Sequence, residues 1–101
     1  MSRRVELHEK LTSILGSRYV YYQPPESIKL HYPCIIYKLD RVNQTHADNK
    51  PYRMTDRYQV TVIDKRPDSP YPRSIMELPM STYNNTFTTN NLNHFVLSLY
   101  Y

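Results

Sequence analysis

The stretch Tyr58-Gln59-Val60-Thr61-Val62-Ile63-Asp64-Lys65 leaves this chain the least choice of conformation. Its β-branched content and period of two give a strand, with Tyr58, Val60 and Val62 on one face and Gln59, Thr61 and Ile63 on the other. It ends abruptly at Arg66-Pro67-Asp68-Ser69-Pro70, because proline has no N–H to give to a ladder. The stretch reads as the central strand of one small sheet. A length of 101 residues allows one domain and one modest core around it.

Bulk properties exclude several classes. With 40% hydrophobic and 22% charged residues, the chain is neither a membrane protein nor a disordered tail. No apolar run approaches the roughly 20 residues that span a bilayer. Met1-Ser2-Arg3-Arg4 is followed at once by Glu6, His8, Glu9 and Lys10, so it lacks the apolar core of a signal peptide and implies synthesis in the cytoplasm. The single Cys34 cannot form an internal disulfide or a multi-cysteine zinc site. A net charge of +4 is compatible with nucleic acid or an acidic partner, and too small to select either. Eleven tyrosines, no tryptophan, eight prolines and one glycine are unusual. Tyrosine suits interfaces, and stiff proline-rich loops suit a subunit ordered by its neighbours; a sheet rich in β-formers gives the same composition.

In chain order, residues 2–15 carry Val5, Leu7, Leu11, Ile14 and Leu15 at helical spacing, with Ser2 placed as N-cap and Gly16 where a left-handed C-terminal cap belongs. Residues 18–22 are β-prone. Residues 23–33 contain Pro24, Pro25 and Pro33 and form an irregular connection. Residues 34–40 are the next strand, and adjacency predicts a hairpin between 34–41 and 55–65. Residues 74–80 read as a short helix packed through Ile75, Met76 and Leu78. Residues 92–100 close the chain as a strand with Phe95, Leu97 and Leu99 on one face. The order α, β, β, β, α, β, β predicts a single α+β domain, with one mixed or antiparallel sheet of about four to five strands flanked by two helices. Two polar stretches, about 41–55 and 81–91, are expected to be contact arms, the first as a long hairpin arm or loop. Within the second, Thr86-Phe87-Thr88 reads as a short strand and Asn90-Asn91 as a turn.

The catalytic inventory is thin. Cys34 lies in an apolar strand without a local base, so it reads as a core cysteine. His8, His31, His46 and His94 do not fall at helical metal-pair spacing, and one glycine cannot cradle a phosphate. Pro67-Asp68 matches the first half of a metal-nuclease signature. The second half, an acid followed two residues later by Lys, is missing after it, and Asp68 reads as a cap of the turn or the following helix. Arg53, Arg57, Tyr58, Lys65, Arg66, Tyr71 and Arg73 interleave basic and aromatic residues, which a solvated sheet edge also does. These residues predict no enzyme, no cofactor and no metal.

Three blocks carry a resemblance. Val20-Tyr21-Tyr22-Gln23-Pro24-Pro25-Glu26 with Leu30-His31-Tyr32-Pro33-Cys34-Ile35-Ile36-Tyr37 is the first. Arg57 to Asp64 followed by Pro67-Asp68-Ser69 is the second, and Asn91-Leu92-Asn93-His94-Phe95 is the third. Together, over roughly residues 5–101, they resemble the tail-terminator (tail-completion) neck proteins of long-tailed bacteriophages. The resemblance implies one sheet flanked by helices, assembled as a hexameric ring. Such a ring caps the tail tube, stops its growth and offers the surface for joining the head. It implies a virion protein made in the host cytoplasm, whose partners are itself, the tube protein and a head-closure protein. DNA would pass through the ring without specific binding, and no membrane is involved. Tyr52, Arg53, Tyr71, Tyr83 and Phe87 are the expected contact residues. A head-closure or adaptor subunit is the near alternative. A small metal-dependent nuclease or nucleic-acid-binding protein is the remote one.

Overall fold

The computed structural model describes the backbone of residues 3–47 and 50–101 and the side chains of residues 4–41 and 56–101. Helix α1 spans Arg3–Leu15 and β1 spans Val20–Tyr22. Strands β2 and β3 span Cys34–Ala47 and Lys50–Asp64. Helix α2 covers Tyr71–Met76, and β4 and β5 cover Ser81–Thr89 and Leu92–Tyr100. The five strands form one sheet in the order β1-β2-β3-β5-β4. The β1–β2 pair is parallel and the rest are antiparallel, so the sheet is mixed and the fold is α+β, as expected.

The central strand follows its pattern. Tyr58, Val60 and Val62 are buried on the helix side, where β2 sets Tyr37 and Ile35 beside them and β5 sets Leu99, Leu97 and Phe95. Leu7, Leu11 and Leu15 of α1 and Ile75 of α2 close this layer. Each fully buried leucine or isoleucine removes enough apolar surface from water to stabilise by about 2 kcal/mol. Helix α1 ends where Gly16 takes φ +77° and its N–H reaches Thr12 O at 2.9 Å. The expected cap Ser2 lies outside the described residues.

Tyrosine builds this core. Tyr37 and Tyr58 are buried, and Tyr19, Tyr22, Tyr71 and Tyr101 pack against the cluster. Tyr37 and Tyr58 meet edge-on at 6.1 Å. The Tyr37 hydroxyl stays protonated because burial raises its pKa. Arg4 donates to that oxygen at 3.3 Å, and His8 Nδ1 shares a hydrogen bond of 2.7 Å with the same hydroxyl, its direction set by the imidazole tautomer. Burial, then the Arg4 charge, lowers the His8 pKa, while Glu9 opposes them.

Helix α2 and the second polar stretch differ from the sequence reading, and the first polar stretch takes the hairpin form that reading allowed. Helix α2 begins at Tyr71 and not at 74, with Pro72 in its first turn, where a missing N–H costs nothing, and it ends by Glu77. Its N-cap is Pro70 without a side-chain cap bond, so the expected capping role of Asp68 has no counterpart there. The first polar arm is a two-stranded hairpin. β5 pairs with β3 only between Arg57 and Asp64, while β2 and β3 go on pairing with each other out to Ala47 and Lys50. This ribbon extends roughly 20 Å past the sheet at ordinary strand rise, along a molecule of 52 × 25 × 22 Å. The second polar stretch, 81–91, lies in the sheet. Ser81–Thr89 is the edge strand β4, paired with β5 along its length. Asn90 and Asn91, at φ 51° and 62°, make the tight turn between them.

Candidate interaction surfaces

Cys34 and Asp64, two of the reactive groups singled out in the sequence, are buried. Cys34 is fully buried, and burial, then the Asp64 charge, pushes its thiol up to about 12, so it carries no thiolate at neutral pH. Asp64 is buried at the end of β3 and accepts the Arg66 backbone N–H at 3.1 Å, while Asn93 Nδ2 donates to the carbonyls of Asp64 and Lys65. That set of bonds turns the chain after the strand. Among the described residues no three His, Cys, Asp or Glu side chains converge as a metal site would require. Among the described residues no helix is long and apolar enough to cross a membrane.

What the fold does present is surface. The exposed large apolar side chains among the described residues are Ile28, Leu39, Met76, Met80, Tyr83 and Phe87. Four of them divide between the two lateral edges of the sheet, while Met76 ends α2 and Met80 lies just before β4. Ile28 and Leu39 lie at the β1–β2 edge, in a groove of about 480 Å³. The irregular 23–33 connection, which must cross over to bring β2 parallel to β1, forms its wall with Pro24, Pro25 and Leu30. Ile36 and Lys38 form the floor. Gln23 anchors it, donating its N–H to Tyr37 O at 2.9 Å and accepting Leu39 N–H on its side chain at 3.3 Å.

At the opposite edge Phe87 stands on the face away from the helices, stacked on His94 at 4.7 Å and 7°. Tyr83 points to the helix side. There it lines a cleft of about 460 Å³ with Pro67, Ser69, Pro72, Arg73, Met76 and Phe95. Ser69 Oγ is buried in the cleft wall without a hydrogen-bond partner. β4 is uncharged, and no Lys, Arg, Asp or Glu follows Glu77 anywhere in the chain. Exposed edges ordinarily carry charge or proline against unwanted pairing. β4 has a bulge at Tyr83/Asn85 and neither of the others.

The expected contact residues are thus dispersed. Tyr83 and Phe87 share β4 on opposite faces. Tyr71 opens α2 and packs half-buried against the core. Tyr52 and Arg53 lie on β3 within the ribbon by their backbone, and their side chains lie outside the described residues. The groove at residues 23–39 escapes a reading of the sequence, because the crossover brings its walls together. The charge-free C-terminal part carries a sequence signal that could have been found: every charged side chain precedes residue 78. At the root of the ribbon, where β2 bulges at Asp40, Arg57 Nη2 pairs with Asp40 Oδ2 at 2.7 Å.

No family model, no curated protein and no solved structure matches the chain.

Proposed function

We propose that this chain is a ring-forming structural subunit of a phage tail, a tail terminator that caps the tube and gives the head a surface to join. The reading rests on the three sequence blocks that resemble tail-terminator proteins. One structural observation supports it above others: a small rigid sheet domain that projects a two-stranded ribbon beyond its own core and leaves a charge-free edge strand open. An isolated two-stranded ribbon is marginally stable in water, and a bare edge invites pairing, so both features suit a protein that works against neighbours. In this reading one face of the ring matches the last ring of the tube, and the other cannot template a further one. The excess of Arg and Lys would face an acidic tube or head partner and leave the passage for DNA unattractive to it.

The test is addition of the purified chain to preformed tail tubes, imaged by electron microscopy. The expected outcome is a ring-shaped layer at one tube end, with tubes that no longer lengthen when more tube protein is added. Binding to portal complexes in place of tubes would transfer the reading to a head-closure subunit. Binding to neither would overturn both.

A further inference from the structure

The two exposed apolar patches lie at opposite ends of one sheet, which is the arrangement a head-to-tail contact between identical copies requires. We infer that copies of this chain associate edge to edge, with Phe87 on the β4 edge of one copy seated in the groove between Pro24 and Leu39 of the next. This deepens the ring reading of the previous section and rests on it.

Charge selects the occupant. The chain carries +4, so two copies repel unless the surfaces that meet are close to neutral. The edge strand has no charged residue, and in the groove Glu26 and Lys38 cancel. Neither β4 nor the groove presents a net charge to an acidic or basic partner, whereas a second copy supplies a neutral match to each. Shape agrees with charge. Phe87 is 47% exposed yet held flat by His94, so it projects a ring face with little orientational freedom left to lose. The groove offers Ile28, Leu30, Ile36, Leu39 and two prolines to receive an aromatic ring. Phe87 and the residues of the groove floor, Ile36 and Lys38, lie on the same face of the sheet, away from the helices, so neighbouring sheets meet without turning over. Because each copy uses one edge as donor and the other as receiver, the contact propagates, and it closes into a ring where the rotation between copies allows.

Cysteine cross-linking on the full chain tests the pairing. The native Cys34 is buried and stays out of the oxidation. Ile28→Cys and Asn85→Cys, the latter on the same face of β4 as Phe87, are introduced separately, the two variants are mixed at high concentration, and the mixture is oxidised. Within one chain β4 lies three strand spacings from the β2 floor of the groove that Ile28 lines, roughly 14 Å. A disulfide needs Cα atoms within about 7 Å, so any 28–85 bond joins different copies. The expected result is a dimer confined to the mixture and mapped to 28–85, with a ladder of oligomers from the double variant. Phe87→Ala, at an exposed position and checked for an intact fold by circular dichroism, should slow the sedimentation of the unmodified assembly to that of a monomer. Dominant Asn85→Cys homodimers, which would mean symmetric β4–β4 pairing, overturn the proposal. So does the absence of both cross-link and assembly at the highest attainable concentration. A 28–85 cross-link in a chain that ignores tail tubes would sink the terminator reading and leave this contact standing. Capped tubes whose rings lack the cross-link would do the reverse.

Discussion

The molecule contains two antiparallel hairpins that share the middle of one sheet, and they are built on different principles. The first, β2–β3, begins in the core and runs on past it as a ribbon, with charged residues in its sequence and an Asp40–Arg57 ion pair at its root. The second, β4–β5, stays within the sheet, carries no charge and is joined across its strands by neutral bonds, Asn84 to Ser98 at 2.8 Å and Thr88 to Asn93 at 3.1 Å. Charge is a common defence of an exposed strand against stray pairing. The first hairpin has that defence and the second lacks it, although β4 is the longer of the two outer strands of the sheet. Under the proposed function the two take different partners: the ribbon reaches outward, and the edge meets a surface as neutral as itself.

Four measurements press on this contrast. Stability should reside in the second hairpin and the base of the first. Leu97→Ala on β5, fully buried, is expected to cost about 3 kcal/mol in denaturant unfolding; a loss below that of an exposed position would break the comparison. Acid should loosen the base of the first hairpin through His8, which faces Arg4, Glu9 and the Tyr37 hydroxyl of β2. His8 holds its proton less tightly in the folded chain than its ordinary 6.5, so below that pH the unfolded chain binds more protons. Stability present above pH 6.5 is therefore lost as pH falls through the lowered folded value. His8→Gln should flatten that part of the thermal-midpoint profile. Replacing residues 44–54 with an Asn-Gly turn should leave the denaturant midpoint of the core nearly unchanged, because β5 pairs with β3 only from Arg57 onward, and under the proposed function it should abolish tube binding. The smallest effect is expected from Asp40→Asn. Amide exchange should quicken at the ribbon's root while β4–β5 is unchanged, because an exposed ion pair contributes little to the whole.

The same contrast explains what could be read in advance. Residues 58–65 and 92–100 bury their helix-side face, joined on the other face by Ile63 and Val96, and burial of that first face writes a period of two into the sequence. Helix α1 is legible for the corresponding reason, at its own period, with Gly16 marking its end. Almost all of Ser81–Thr89 is exposed, so nothing there had to alternate, and only Thr86-Phe87-Thr88 looked like a strand. The ribbon lies beyond β5 with no third strand beside it; backbone bonding holds such an element, and side-chain pattern does not disclose it. The proline-flanked helix α2 was displaced by three residues at its start, because the apolar trio at 75–78 outweighed the proline start signal at Pro72. Tyr83 and Phe87 are expected contact residues because they lie in the second polar stretch. Their separation onto two faces, and the groove opposite them, depend on register and crossover, which no local pattern encodes.

The ribbon and the core share two unbroken strands, and this gives the molecule a mechanical character. Hydrogen bonds in an antiparallel pair lie perpendicular to the strands. A pull applied at the ribbon's tip along β3 therefore strains the whole β3–β5 ladder from Arg57 to Asp64 at once, in shear. A pull across the strands would open the same bonds one after another, as a zip opens. A joint gripped by its ribbon is thus strong along one axis and weak across it, and the direction of β3 sets which is which.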